Sequence, residues 1–121
     1  MARTTTRSPL GKFFAKSLKM ARSRDKMAGR EADSRVTIEY LQGIYDSQNG
    51  KCCHTGEIMT LVRGKVDGAV RFELCTMERI DNRKGYEIGN IMLACDGINR
   101  MRGDMELSQF RNYCKRIGLR A

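Results

Sequence analysis

The stretch CTMERIDNRKGYEIGNIMLACDGINRMRGD, residues 75–104, constrains the fold more than any other. Short apolar runs at its ends flank a polar, glycine-containing loop, the pattern of two antiparallel strands joined by a long turn. After Cys95, INRMRGDM reads as a short helix. A hairpin followed directly by a helix brings side chains distant in sequence together, here Glu78, Arg79, Asn90 and Asn99. A carboxylate at the end of a strand and a carboxamide on the facing helix are hard oxygen ligands. They suit Mg²⁺, which keeps several positions for water and phosphate.

The flanking sequence is helical on both sides, so the expected fold class is α+β. Ile38, Leu41, Ile44 and Tyr45 form one apolar stripe on a helix capped by Thr37 and ending near Gly50. Asp67-Gly68 between β-prone runs predicts a hairpin. Ser108 is expected to cap a last helix with Phe110, Tyr113, Cys114 and Ile117 on one face. Near the N-terminus, Leu10, Phe13, Phe14, Leu18 and Ala21 recur at helical spacing among Lys12, Lys16, Lys19 and Arg22. This predicts a basic amphipathic helix from about Gly11 to Gly29, preceded by a solvated arm over residues 1–8.

Charge divides the chain at residue 35. Residues 1–35 carry ten basic and three acidic side chains, a net +7, and residues 36–121 carry thirteen and eleven, a net +2. A polyanionic partner is indicated. The expected domains are a basic, partly helical N-terminal extension at 1–35 and a folded domain at 36–121 with its hairpin-and-helix core at about 76–104. No apolar run is long enough to span a bilayer, so no membrane association is expected and the predicted location is cytoplasmic. The five cysteines, 52, 53, 75, 95 and 114, cannot all pair. They suggest reduced thiols or metal ligands before a disulfide framework.

MERIDNRKGYEIGNIMLACDGINRMRGDM, preceded by YDSQNGKCCHTGEIMTL, resembles the HNH, or His-Me finger, nuclease family over roughly residues 40–105. The resemblance implies a ββα-metal module with flanking helices. It places Glu78 at the metal-binding acid, Asn99 at the helix residue completing the metal site, and Asn90 at the central asparagine that organises the loop. Arg79 stands where the general-base histidine belongs. A guanidinium cannot take a proton from water near neutral pH, and it would instead neutralise the scissile phosphate. The base is unassigned, with His54, the chain's sole imidazole, and Tyr86 as the candidates.

The function implied is a Mg²⁺- or Mn²⁺-dependent endonuclease that nicks or cuts duplex or branched DNA, of a kind found in phages and mobile elements. Lys12, Lys16, Lys19, Arg22, Arg100 and Arg102 are the expected phosphate contacts. A homodimer would serve cleavage of both strands. One alternative is an HNH-fold DNA-binding protein without turnover, marked by the missing base. Another is an RNA-binding protein. Many family members pin the module with a structural zinc held by two CxxC pairs. Here Cys52 and Cys95 match the leading members, but Thr55 and Ile98 replace the second ones; Cys53 or His54 could step in as replacements, but isoleucine cannot bind, so structural Zn²⁺ is not the expectation there. Cys52 and Cys95 are instead expected in a buried contact, with Cys75 and Cys114 in the core.

Overall fold

The computed structural model describes residues 8–121. The expected arm at 1–8 lies outside the described residues except for Ser8. Helix α1 (Pro9–Met27) starts where Ser8 Oγ accepts the Gly11 N–H at 2.9 Å and Pro9 supplies a helix-compatible φ. Its apolar positions fall on one face and bury Phe13, Phe14, Leu18 and Ala21. Helix α2 (Ile38–Ser47) is capped by Thr37, whose Oγ1 accepts the Tyr40 N–H at 3.1 Å. It packs on α1 and buries Leu41.

Asp67 and Gly68, at φ 52° and 80°, turn strand β1 (Lys65–Val66) into β2 (Ala69–Val70). Left-handed backbone at both central residues is the hairpin geometry that an Asp-Gly pair favours. Strands β3 (Cys75–Arg79) and β4 (Ile91–Cys95) pair antiparallel from Cys75↔Cys95 to Arg79↔Ile91. Helix α3 (Asp96–Arg102) follows β4 without a linker and packs on both strands. A strand alternates its faces, so Thr76 and Glu78 share one face of β3. Asn99 and Arg102, one helical turn apart, meet them from α3.

The core lies between α1, α2 and the β3–β4 hairpin, joining Phe14, Leu41, Leu74, Met77 and Leu93. The charge boundary near residue 35 is therefore not a packing boundary: α1 contributes Phe13, Phe14, Leu18 and Ala21 to the same core as the hairpin. Fully burying each such phenylalanine or leucine is worth about 1.5–3 kcal/mol, enough to fix α1 as part of the fold.

Helix α4 (Leu107–Arg120) departs from expectation. Its cap position is Glu106, and Ser108 lies inside the first turn. Of the expected apolar face only Phe110 is buried, while Tyr113 and Ile117 are 46% and 68% exposed and Cys114 is exposed. The helix docks by its first turn and then runs beyond the edge of the core. No described helix is long and apolar enough to cross a membrane.

Candidate active site

The β3–β4 loop is held from inside by Asn90. Its Oδ1 accepts the Asp81 N–H at 2.8 Å, and its Nδ2 donates to Asp81 O at 3.1 Å and Gly85 O at 2.9 Å. One buried carboxamide thus satisfies three backbone groups of an otherwise irregular segment. Asp25 on α1 ties the same loop to the helix: it accepts the Tyr86 N–H at 3.0 Å and pairs with Arg30 at 3.0 Å. Arg79 Nη1 donates to Asn82 O at 2.8 Å and Lys84 O at 3.0 Å, and its guanidinium stands 5.6 Å from the Tyr86 ring centre. Arg79 therefore supports the loop that carries Tyr86.

Glu78 is 2% exposed. His54 Nε2 lies 2.9 and 3.0 Å from its two oxygens, and Arg102 Nη1 donates to Oε2 at 2.7 Å. Burial pushes the Glu78 carboxyl upward, but the His54 and Arg102 hydrogen bonds outweigh it and hold the group below its ordinary value. Arg102 also donates to the carbonyls of Arg79, Ile80 and Met105 at 2.6, 2.8 and 2.9 Å. It is 3% exposed, so the expectation that Arg102 contacts phosphate is overturned: its donors are all directed inward. The i, i+3 spacing from Asn99 already put Arg102 on the strand-facing side of α3, a signal present in the sequence.

Asn99 Nδ2 donates to Thr76 Oγ1 at 3.4 Å, a long bond. Both residues line an open cleft of about 550 Å³ between α1, the β1–β2 segment and α3. Tyr86 and the basic groups Lys16, Arg24, Arg63, Lys65 and Arg100 line it too, with Asp96 the acid at its wall. Arg24 Nε donates to Tyr86 Oη at 3.1 Å. Arg63 is fixed by its bonds to Phe13 O at 2.9 Å and Ser17 Oγ at 2.7 Å, over the Phe13 ring. Arg100, its side chain 59% exposed, lies 2.6 Å from Asp96 Oδ2 without a well-aligned hydrogen bond. Lys16 and Met20 also belong to a second groove formed by Lys12, Ala15, Lys19 and Ser23, so the exposed lysines of α1 run into the cleft. Arg22 is exposed, with one donor on Val36 O at 3.1 Å. Arg24 and Arg63 were not foreseen: Arg63 lies in an irregular segment whose path no periodicity reveals.

The Mg²⁺ site implied by the resemblance pairs Glu78 with Asn99. Both Glu78 oxygens face His54 Nε2, and Oε2 also accepts from the buried Arg102 guanidinium. A hydrated Mg²⁺ needs accessible oxygen donors, so this pair does not fit it. His54 stands apart from the cleft, its side chain 7% exposed under Phe110.

Cys52 and Cys95 are buried together, and the Cys95 N–H donates to Cys52 Sγ at 3.3 Å. Burial pushes Cys52 upward, but the N–H groups of Cys95, Thr55 and His54 bring it below the ordinary thiol value. Burial pushes Cys75 and Cys95 up to about 12.

No protein-family model and no curated protein matches the chain. Among solved structures it is similar to the rare-cutting HNH restriction endonuclease PacI. The TM-score is 0.60 and the identity 19%, over 85% of this chain and 75% of that one. The likeness shows the fold: helices around small antiparallel sheets.

Proposed function

We propose, from a chain that carries the HNH endonuclease fold, that this protein is a divalent-metal-dependent DNA endonuclease working in the basic cleft beside α3. The observation that carries the reading is the cleft itself. Five basic side chains surround Asn99, Thr76 and Tyr86, and the lysines of α1 lead into it. A polynucleotide backbone along Lys12, Lys16 and Lys19 would be positioned without regard to sequence. Where it reaches the cleft, Arg24 and Arg100 would meet the non-bridging oxygens of one phosphate. Fixed cations aimed where charge develops in phosphoryl transfer stabilise the transition state without reorganising.

Asn99 and Tyr86 flank that position. In this reading Asn99 orients the phosphate, and Tyr86 Oη, fixed by Arg24, accepts a hydrogen bond from the attacking water. Arg79 and Asn90 are positioning residues that hold the loop carrying Tyr86. His54 does not line the cleft and Tyr86 does, so Tyr86 is preferred as the group acting on water. Glu78 and Asn99 do not hold the divalent metal in the arrangement seen, and the chelator control tests the dependence. One module serves one strand, so the expected product is a nick.

A second reading, DNA binding without turnover, draws support from the sequestration of Glu78. Both readings are tested with supercoiled plasmid, Mg²⁺ or Mn²⁺, a chelator control and a parallel binding titration. Metal-dependent conversion to open circles supports the endonuclease. Tight binding with no conversion on duplex or branched DNA establishes the binding protein in its place.

A further inference from the structure

Cys53, His54 and Glu78 place a thiol, an imidazole nitrogen and a carboxylate oxygen all within 4.8 Å of one another. None of the three lines the cleft. We infer that they form a binding site for a borderline divalent ion of the Zn²⁺ class, separate from the cleft and independent of whether the protein cleaves DNA. Mixed sulfur, nitrogen and oxygen donors select Zn²⁺ or Co²⁺ over Mg²⁺ or Ca²⁺.

The ligand backbone is already fixed. Cys53 N–H donates to Leu93 O at 3.1 Å, which ties the turn to β4. The same turn folds over Cys52, whose sulfur accepts the Cys95 N–H at 3.3 Å. Glu78 is oriented from behind by Arg102, which holds Oε2 at 2.7 Å and leaves Oε1 2.9 Å from His54 Nε2. Such anchoring of a ligand's second atom is what tunes protein metal sites. Ligand atoms around tetrahedral zinc, at bond lengths of about 2.0–2.3 Å, stand roughly 3.3–3.8 Å apart. The pair at 2.9 Å must open slightly and the thiol must close in by no more than about 1.5 Å.

Arg111 Nη2 lies 3.3 Å from His54 Nδ1 and can only donate. Without metal, Nε2 therefore carries the imidazole hydrogen and donates it to Glu78. On binding, Nε2 becomes the ligand, the hydrogen moves to Nδ1, and the exposed Arg111 turns to solvent. The Cys53 thiol proton leaves to solvent, and the thiolate takes its place on the metal.

The test is titration of the reduced full chain with Co²⁺, followed by absorption spectroscopy. Expected are the visible bands of a tetrahedral ion and a thiolate-to-Co²⁺ charge-transfer band, saturating at one equivalent and lost on adding Zn²⁺. Cys53→Ser should abolish the charge-transfer band, and His54→Gln, which keeps every thiol, should weaken binding at least about tenfold, while Cys114→Ser changes neither. Circular dichroism of each variant confirms folding. Absence of a charge-transfer band in the wild type overturns the inference. So does a band that survives Cys53→Ser and disappears in Cys52→Ser or Cys95→Ser, which would move the ion to that buried pair.

Discussion

Replacing Arg102 with methionine keeps most of the aliphatic stem and removes the charge that compensates Glu78. Both side chains are 1% exposed, and the pair meets at 2.7 Å. Breaking such a pair from one side leaves a buried carboxylate uncompensated, at a cost of about 3–5 kcal/mol. The carbonyls of Arg79, Ile80 and Met105 lose their donor in the same step, which pushes the effect toward the upper end. Domains of this size are stable by about 5–15 kcal/mol, so Arg102→Met should lower the melting temperature by roughly 10–20 °C. Equilibrium urea denaturation with chelator present gives the number. Adding Glu78→Gln to Arg102→Met removes the orphaned charge and should recover at least about 1 kcal/mol.

The pH dependence carries a definite sign. Glu78 is held below its ordinary 4.5, so its contribution is complete above that value and is lost as pH falls through the folded-state value. Glu78→Gln should therefore flatten the acid limb of the stability profile below about pH 4.5. Asp33 and Asp81, also lowered by neighbouring arginines, keep some acid dependence in every variant. An Arg102→Met protein within about 1 kcal/mol of wild type, or a double variant no better than the single one, would refute this account of the buried network.

Three further outcomes follow from the loop and the cleft. Asn90→Ala removes three hydrogen bonds from a buried side chain and should cost about 2–3 kcal/mol; unchanged urea unfolding would show that the loop holds without its clamp. A Cβ at Gly85 would lie 2.8 Å from Asp25 Oδ1, so Gly85→Ala should cost about 1–3 kcal/mol and displace Tyr86, read by thermal melts and nicking rate together. Lys12, Lys16 and Lys19 changed together to glutamine should flatten the salt dependence of DNA affinity by about 2–3 in slope. An unchanged slope would remove α1 from the DNA contact.

Local chemistry made much of the fold legible in the sequence. Thr37, Asp67-Gly68 and the two apolar runs around the polar loop each determine structure within a few residues, and helix, turn and hairpin are found there. The N-terminal helix was also legible, but its packing was not. Lysines on one face and phenylalanines on the other describe an extension as well as they describe a core helix, and only the hairpin's position decides between them. The last helix misled for the converse reason: an amphipathic pattern shows which face is apolar, not how far the core extends to cover it. In the site, Asn90 stands out because its loop has backbone groups to satisfy. The pairing of His54 with Glu78 across 24 positions depends on how the cysteine turn folds against β4, which periodicity does not encode.

The central claim, that phosphodiester chemistry takes place in the cleft lined by Asn99 and Tyr86, is tested most directly by single-turnover nicking of supercoiled DNA with Asn99→Ala under conditions where it binds DNA as tightly as the wild type. Metal-dependent nicking by the wild type is expected, with at least about a hundredfold slower nicking by the variant, as for loss of one oriented transition-state contact. Nicking by Asn99→Ala at the wild-type rate would place the chemistry elsewhere on the molecule and contradict the account.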